Sequence, residues 1–255
     1  MPRQLSKMNI LTNILQKKQA GKKMLAVLID PDKSSPAECI RLVETAVKSD
    51  VDYFFVGSSI LMTDSFEACV EILKRSSSIP VVIFPGNTMQ LSEAADAILF
   101  LSLISGRNPE LLIGKHVLAA PLIKQKKLET IATGYMLIDS GNPTSVSYMS
   151  YTLPIPHDKN DIAACTAMAG EMLGMKLIYL DAGSGAKFSV SSSMVSSIRK
   201  NIEVPIIVGG GIASAEKAAE LCNAGADVIV IGNATEKDPE IITQIAQSIH
   251  SLQTN

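Results

Sequence analysis

Eight short apolar runs recur along the chain, and they constrain its fold more than any other feature of the sequence. Each run is rich in Val, Ile, Leu and Phe, is continuously apolar, and is bounded by Gly, Pro or Asp. Continuous runs of this length are typical of strands buried on both faces, and therefore of a parallel sheet. We predict strands over residues 25–30, 52–57, 81–86, 97–103, 134–139, 176–183, 205–211 and 227–233.

Mostly amphipathic stretches separate these runs, and we predict helices over 36–48, 64–75, 108–118, 161–173, 191–200, 214–224 and 239–251. The gap between the third and fourth runs, NTMQLSEAAD, leaves room only for a modified or shortened third helix. Eight strands alternating with helices match an α/β fold, a single (β/α)8 TIM barrel over residues 1–255. We expect residues 1–22 to form an N-terminal helical segment packed on the barrel. A doubly wound sheet is the alternative, but its G-x-G-x-x-G after the first strand is missing.

Composition argues against several classes of protein. The 255 residues carry a formal net charge of −2 and include no Trp, which argues against nucleic-acid binding through a basic surface or stacking platforms. The four cysteines form no C-x-x-C pair and the three histidines lack metal-ligand spacing, so we expect buried thiols in a reducing cytosol and no zinc site. The longest apolar run, 97–104, is far shorter than a membrane span. These features predict a soluble cytoplasmic protein.

Glycine-rich turns end three consecutive predicted strands, at 181–186, 209–211 and 232–233. In a barrel, the loops after the seventh and eighth strands often form a phosphate site, where backbone N–H groups and helix dipoles meet the anion. Because adjacent glycines weaken local order, the run Gly209, Gly210 and Gly211 indicates that the main chain closely approaches a ligand. Tight turns between strand and helix are the alternative reading.

Oxygen-bearing side chains follow the first two predicted strands. The segment LIDPDK places Asp30 at the end of the first strand, and VGSS places Ser58 and Ser59 at the end of the second. A carboxylate and a hydroxyl from neighbouring strands suit Mg²⁺, which binds through hard oxygens and substrate phosphates. The Asp-Pro pair also begins ordinary turns, so a structural role for Asp30 stays open at this point.

A long loop, 142–161, follows the fifth predicted strand. Loops of this length in compact domains are often lids, and its Tyr, Met, Val and Pro residues suit an apolar ligand better than a sugar. His157 lies in this loop, and we interpret it as lid surface first and as a catalyst second. Two phosphate-handling regions on opposite sides of one barrel mouth imply either one extended substrate or two substrates.

Six segments carry a resemblance that covers nearly the whole chain. LIDPDK, FFVGSS, GYMLIDSG, KLIYLDAGSGA, IIVGGGIAS and VIVIGN, in this order, resemble the prenylglyceryl phosphate synthase family of (β/α)8 barrels. The resemblance implies a Mg²⁺-dependent prenyltransferase. Such an enzyme joins the 3-hydroxyl of sn-glycerol 1-phosphate to a polyprenyl diphosphate, here expected to be geranylgeranyl diphosphate, and releases pyrophosphate to form an ether lipid.

The family's site residues can be carried over position by position. The resemblance implies that Asp30 and Ser59 bind Mg²⁺. It implies that sn-glycerol 1-phosphate binds to Tyr179, Leu180, Asp181, Ala182, Gly183, Ser184, Gly185, Gly210, Gly211, Gly232 and Asn233. The family often has glutamate where this chain has Asp181, so the acidic function is kept with one methylene fewer. We expect Asp181 and Tyr179 to be catalytic, with Asp181 orienting or deprotonating the acceptor hydroxyl.

Other functions stay open at this point. Another phosphate-binding barrel enzyme, an isomerase or lyase, would explain the glycine turns equally well. A barrel that binds a phosphorylated metabolite without catalysis is a second alternative, disfavoured because Asp30 and Asp181 would repel the anion. The resemblance implies a homo-oligomer, for which helices such as the one predicted over 108–118 carry enough apolar surface. Because the implied product is a membrane lipid, we also expect transient contact with a membrane surface.

Overall fold

Eight parallel strands form one closed barrel in the computed structural model, which describes residues 9–232, 235 and 240–252. The strands β1 to β8 are Met24–Ile29, Tyr53–Val56, Val81–Ile83, Ala97–Leu103, Glu129–Leu137, Leu177–Asp181, Ile206–Gly209 and Val228–Ile231. Each strand pairs in parallel with its neighbours in sequence, and β8 pairs with β1 to close the barrel. The predicted TIM barrel is therefore confirmed.

Helices surround the barrel and alternate with most of its strands. In the described part of the chain, α1 to α9 are Ile10–Gln19, Pro36–Lys48, Phe66–Ser76, Lys115–Gln125, Ser145–Ser150, Asn160–Met172, Ser192–Arg199, Ala215–Asn223 and Glu240–His250. A π-helical turn, Glu110–Gly114, precedes α4. None of the helices in these described ranges is long and apolar enough to cross a membrane.

The helix that would follow β3 is missing. Residues 84–96, all within the described range, join β3 to β4 through turns and bends alone. The fully buried Gln90 holds this segment in place: its side-chain amide donates to the Ser58 carbonyl at 2.7 Å, and its oxygen accepts from the Gly86 N–H at 3.1 Å. Side-chain hydrogen bonds thus replace the helix that the sequence predicted in modified or shortened form.

The base of the barrel is closed by α1. Ile10 and Ile14 are buried against side chains of the barrel interior. Glu129, at the start of β5, accepts hydrogen bonds from the Ile10 and Leu11 N–H groups at 2.6 and 2.9 Å. A carboxylate at a helix N-terminus satisfies unpaired amides and interacts favourably with the helix dipole. The opposite end of the barrel, where the strands finish, is the open mouth.

Register brings polar side chains together at that mouth. Tyr135 of β5 lies level with Tyr179 of β6, and Leu137 lies level with Asp181. Alternate residues of a strand point to the same face, so Tyr179 and Asp181 both point into the barrel beside Tyr135. The fold therefore places one carboxyl group and two phenols at the ends of two adjacent strands.

Candidate active site

Asp181 is the buried acid of the barrel mouth, with 8% of its surface exposed. The Tyr135 hydroxyl donates to its Oδ2 at 2.5 Å, and the Gly183 N–H donates to its Oδ1 at 2.7 Å. Burial raises the pKa of Asp181 above its ordinary value, although both hydrogen bonds favour the charged form and oppose the shift. Each carboxylate oxygen keeps capacity for a further donor, so the group can accept a proton from a bound hydroxyl.

Three aromatic rings pack beside this carboxyl group. Phe84 stacks on Tyr179 with ring centroids 5.0 Å apart, and Tyr135 meets both rings edge to face, at 5.7 and 5.5 Å. Burial raises the pKa of Tyr135 and of Tyr179 well above the ordinary value, so both phenols stay protonated and can donate. Tyr179 and Asp181 thus lie together as the sequence indicated, whereas Tyr135 and Phe84 were missed.

The glycines after β6 and β7 allow two loops to touch through their main chains. Gly183, Gly185, Gly210 and Gly211 have φ values of +88°, +75°, +84° and +68°, which L side chains rarely adopt. A Cβ at Gly210 would lie 2.6 Å from the Gly183 nitrogen, and one at Gly209 would lie 2.6 Å from the Tyr179 hydroxyl. Close packing within the protein therefore accounts for much of the glycine run.

Packing leaves some of these amides available. Within the described ranges, the N–H groups of Gly210 and Gly211 donate to no protein acceptor. Unpaired N–H groups in successive left-handed residues form a concavity that suits an anion. Gly210 lies next to Asp181, because the Asp181 Oδ1 is 2.9 Å from the position of a Cβ at Gly210. An anion-binding site and an acid-base group therefore lie side by side and can act on the same small molecule.

The other predicted glycerol-phosphate residues that the structure describes lie at or after the ends of β6 and β8. Leu180 and Ala182 are buried, while Ser184 and Gly185 are exposed in the loop after β6. Gly232 follows β8, and a Cβ there would lie 3.5 Å from the Leu28 Cβ, an ordinary contact distance. The Gly232 carbonyl accepts a hydrogen bond from the Thr235 hydroxyl at 2.8 Å. Asn233 lies outside the described residues.

Asp30 lies on the opposite side of the mouth, after β1. Its Oδ2 accepts from the Ser58 hydroxyl at 3.3 Å and lies 3.4 Å from the Lys33 ammonium group. Its Oδ1 accepts from the Asp32 N–H at 3.2 Å. Ser58 is thus the hydroxyl that contacts Asp30, and the neighbouring Ser59 is partly buried in the same loop.

Asp32 ties the loop after β1 to the loop after β2. It accepts hydrogen bonds from the Met62 N–H, from the Thr63 hydroxyl at 2.5 Å and from the Ser65 hydroxyl at 3.1 Å. These donors lower the pKa of Asp32, with Thr63 as the largest cause. Asp32 stands in the segment LIDPDK, but the sequence does not indicate this role, because its partners come from another loop.

The loop over 142–161 lies over the glycine turns and is anchored at both ends. Asn142 accepts from the Lys187 N–H at 3.0 Å, and Ile155 forms a bridge with Ile138 beyond the end of β5. A Cβ at Gly183 would lie 2.7 Å from the Thr144 hydroxyl oxygen. His157 instead lines an open groove of about 400 Å³ with Lys187 and Lys217.

Apolar side chains line the rest of the mouth. They come from the end of β3, from β4, from the π-helical turn and from α5, and they pack partly buried on the barrel interior: Phe84, Leu101, Leu111 and Val146. This wall adjoins the aromatic cluster beside Asp181, because Phe84 belongs to both. The mouth therefore combines an anion concavity, a buried acid and an apolar wall.

Comparison with known proteins shows the relationship of this chain. The model of the PcrB family matches residues 17–249. A geranylgeranylglyceryl phosphate synthase of Chitinophaga pinensis is 54% identical over 242 residues, covering 95% of this chain and 96% of the relative. The same-named protein of Spirosoma linguale is 52% identical, covering 95% and 97%.

A solved structure agrees with these relatives. The crystal structure of (S)-3-O-geranylgeranylglyceryl phosphate synthase from Thermoplasma acidophilum, in complex with its substrate sn-glycerol-1-phosphate, superimposes with a TM-score of 0.90. Its sequence is 32% identical, and the alignment covers 96% of this chain and all of that one. The resemblance inferred from the six sequence segments is confirmed. The chain belongs to the PcrB family.

Proposed function

We propose that this barrel is a prenyltransferase, which joins the 3-hydroxyl of sn-glycerol 1-phosphate to a geranylgeranyl or similar polyprenyl group and releases pyrophosphate. The observation that carries the proposal is the buried Asp181, held by Tyr135 beside Gly210. Among the described residues, the amides of Gly210 and the adjoining Gly211 have no protein acceptor. Support also comes from the full-length relatives that bear the name of this activity.

The acceptor binds on the β6–β8 side of the mouth. The amides of Gly210 and Gly211 bind its phosphate, together with Ser184 and Gly185 after β6 and with Gly232 and Asn233 after β8 in the sequence. This leaves the glycerol 3-hydroxyl beside Asp181. Binding of this kind holds the nucleophile close to the reacting carbon, which lowers the entropic barrier to reaction.

Asp181 removes the proton as the ether forms. The acceptor oxygen bonds to the first carbon of the prenyl group, the bond from that carbon to the diphosphate oxygen breaks, and the hydroxyl proton moves to Asp181. A raised pKa makes a carboxylate a better base at neutral pH than an exposed aspartate. Tyr135 keeps the carboxylate oriented, and Tyr179 supplies a second buried phenol beside it.

The prenyl donor occupies the apolar wall. Phe84, Leu101, Leu111 and Val146 offer a surface that excludes water from the reacting carbon, and water would otherwise hydrolyse the donor. The allylic carbon gains positive charge as the diphosphate leaves. The faces of Phe84 and Tyr179 stabilise such a charge through their ring quadrupoles.

The diphosphate lies toward Asp30, where the donor set fits Mg²⁺. The described residues contain no group of three or more His, Cys, Asp or Glu side chains that could hold a metal. Mg²⁺ needs no such cage, because it is held by one or two carboxylates plus substrate phosphates. Asp30 with the Ser58 and Ser59 hydroxyls supplies that set. Mg²⁺ held there would neutralise charge on the diphosphate, and Lys33 adds a second cation.

Two exposed apolar surfaces fit the expected partners. The first is on and just before α4, where Ile113, Val117, Leu118 and Leu122 are exposed, and we assign it to contact between copies in a homo-oligomer. The second surrounds the mouth, where Met62, Met89, Tyr151 and Leu153 are each more than four-fifths exposed on loops. Exposed apolar patches mark interaction sites, and we assign the loop tips to transient contact with a membrane surface.

A single assay tests the reaction. The purified protein is incubated with Mg²⁺, geranylgeranyl diphosphate and either sn-glycerol 1-phosphate or its 3-phosphate enantiomer, and products are identified by mass. Ether product from the 1-phosphate alone is expected. No product with any donor length would reject the proposal: an isomerase or lyase leaves prenyl diphosphate unconsumed, and a binding protein holds the phosphate without turnover.

A further inference from the structure

The side chain of Gln90 pairs with the main chain of Ser58 as a neighbouring strand would. β2 ends at Val56, and the segment after β3 turns away instead of continuing beside it. In its place, the Gln90 amide donates to the Ser58 carbonyl at 2.7 Å and accepts from the Ser58 N–H at 3.3 Å. A side-chain amide offers the same kinds of donor and acceptor as a peptide group, so Gln90 takes the position of a strand residue beside Ser58.

The same hydrogen bonds fix the Gln90 amide itself. Gln90 is fully buried, and its oxygen accepts a second hydrogen bond, from the Gly86 N–H at 3.1 Å. The oxygen thus faces two N–H groups and the nitrogen faces a carbonyl, which determines the orientation of the amide. Because a buried polar group that loses its partner is strongly destabilising, the side chain is held in one position.

The segment around Gly86 leaves Ser58 no space to shift toward it. A Cβ at Gly86 would lie 1.9 Å from the Ser58 carbonyl oxygen and 2.9 Å from the Ser59 Cα. Main chains that pack this closely limit each other's movement, and the Gln90 amide prevents them from separating. The connection between β3 and β4 therefore sets the place of Ser58 at the barrel mouth.

The Ser58 hydroxyl is the group that this pairing positions. Its hydrogen is shared between the Ile60 carbonyl at 2.8 Å and the Asp30 Oδ2 at 3.3 Å. A hydroxyl oxygen that donates its one hydrogen keeps two lone pairs, which a cation beside Asp30 can use. Gln90 therefore acts on the site beside Asp30 through Ser58.

We propose that Gln90 is a positioning residue for the donor diphosphate: its buried amide holds Ser58 where the hydroxyl and Asp30 can bind Mg²⁺ together with the diphosphate. This role rests on the proposed function, which assigns the diphosphate to this side of the mouth. Groups that orient metal ligands affect affinity nearly as much as the ligands do. Substitution of Gln90 should therefore weaken binding of Mg²⁺ and diphosphate and leave the acceptor side, at Asp181 and Gly210, intact.

The test is calorimetric titration of the protein with inorganic pyrophosphate in the presence of Mg²⁺. Gln90→Met keeps a long unbranched side chain and removes the hydrogen bonds to Ser58 and Gly86. We expect the Kd for pyrophosphate to rise by about 10–100-fold. The Kd for sn-glycerol 1-phosphate, titrated separately, should change little, which a general disturbance of the mouth would not allow.

Ser92→Ala is the matched control. Ser92 is also fully buried in the connection between β3 and β4, but its hydroxyl donates to Glu67 of α3 at 2.9 Å and accepts from the Ala94 N–H at 3.1 Å. Its loss lowers stability, measured by urea denaturation, without removing a bond to Ser58. Equal weakening of pyrophosphate binding by Ser92→Ala and Gln90→Met would overturn the proposal, because a general loss of order would then explain both.

Ser58→Ala tests whether Gln90 acts through this hydroxyl. We expect Ser58→Ala to weaken pyrophosphate binding, and the double variant with Gln90→Met to bind no more weakly than the weaker single variant, because residues that act together are not additive. If the two losses multiply instead, Gln90 and Ser58 act independently and the proposal is wrong.

Gln90→Glu answers the question if Gln90→Met does not fold. It has the same shape, keeps the accepting oxygen, and donates to the Ser58 carbonyl only when protonated. Pyrophosphate binding relative to the unsubstituted protein is therefore expected to weaken as the pH rises through the pKa of the introduced carboxyl group. A ratio that stays constant with pH would contradict the positioning role.

The titrations separate this proposal from the proposed function. If the unsubstituted protein binds pyrophosphate with Mg²⁺ and Gln90→Met binds it equally well, the positioning role alone is rejected. If the unsubstituted protein does not bind pyrophosphate, the proposed donor site is rejected, and the role of Gln90 with it.

Discussion

The two sides of the barrel mouth hold their polar groups in different ways. On the glycine side, formed by the ends of β6 and β7, the main chain supplies the donors and the one acid, Asp181, is buried. On the acidic side, formed by the loops after β1 and β2, side chains supply the groups, and Asp30 and Asp32 are only partly buried. Backbone groups at the ends of rigid strands cannot change position, whereas side chains on loops can change their conformation.

This difference suits two kinds of ligand. A fixed concavity with a buried acid selects a small acceptor and sets the position of one hydroxyl. An adjustable acidic side can hold an ion together with a diphosphate, and it can release both after reaction. We therefore expect substitutions on the glycine side to affect chemistry or fold, and those on the acidic side to affect the requirement for metal.

Asp181→Asn should have the largest effect. Loss of the acid-base group is expected to reduce turnover by about 10²–10⁴-fold, while glycerol-phosphate binding changes little because the amides of Gly210 and Gly211 remain. Turnover and equilibrium binding are measured separately. Unchanged turnover would remove Asp181 from the mechanism.

Asp30→Asn tests the acidic side. We expect the Mg²⁺ concentration for half-maximal rate to rise by roughly 10–100-fold, by analogy with the loss of a metal-site partner, with a smaller loss of rate at saturating Mg²⁺. Asp158→Asn is the control, because its carboxylate is exposed in the loop over 142–161. An equal response of the two variants would show that Asp30 has no special role.

Gly210→Ala tests whether the glycine side is rigid. Gly210 has a φ of +84°, and a Cβ there would lie 2.6 Å from the Gly183 nitrogen. Alanine at this position is therefore expected to lower the free energy of unfolding by about 1–3 kcal/mol and to weaken glycerol-phosphate binding. Gly185→Ala is the matched control, since its φ is +75° but nothing lies within 4 Å of its Cβ position. Chemical denaturation and binding titration measure the two effects. Equal losses would mean that backbone strain alone matters here.

Tyr135→Phe should shift the pH dependence of turnover. The Tyr135 hydrogen bond lowers the pKa of Asp181 against the effect of burial, so its removal raises that pKa further. A base must be deprotonated to act, and the rate falls as pH drops through its pKa. The acid limb of the pH–rate profile is therefore expected to move to higher pH. A shift to lower pH would contradict the assignment of Asp181 as the base.

The smallest effect is expected at the loop tips. Combined Met62→Ser and Leu153→Ser should reduce co-sedimentation with vesicles of phosphatidylethanolamine and phosphatidylglycerol by a few-fold, because exposed apolar side chains drive such binding. Met172→Ser is the control, as Met172 is similarly exposed at the far end of α6. Loss of binding in the control alone would place the contact at the base of the barrel.

The barrel could be predicted because buried parallel strands leave a continuous apolar pattern. Where the pattern failed, a local cause is visible. β5 begins at Glu129 rather than at 134, because its first residues alternate in burial instead of forming an apolar run. α4 was predicted over 108–118 but spans Lys115–Gln125, because a π-helical turn precedes it and Pro121 lies inside it.

The candidate site was predictable only in part. The sequence shows Tyr179 and Asp181 in one continuous segment, and it shows the glycines in turns at the strand ends. Tyr135 and Asp32 act through partners 46 and about 30 residues away, which depends on strand register and loop packing. The side-chain hydrogen bonds of Gln90 hold the connection between β3 and β4, where a helix would otherwise stand. No periodic pattern in the sequence predicts such bonds.

The cap on α1 has a consequence for the order in which the chain can fold during synthesis. α1 leaves the ribosome before any strand of the barrel, yet the carboxylate that caps it belongs to Glu129, 119 residues later. The interior against which Ile10 and Ile14 pack also includes residues from β8. α1 is therefore made before its docking site, and it completes its contacts only after the last strand of the barrel has been translated.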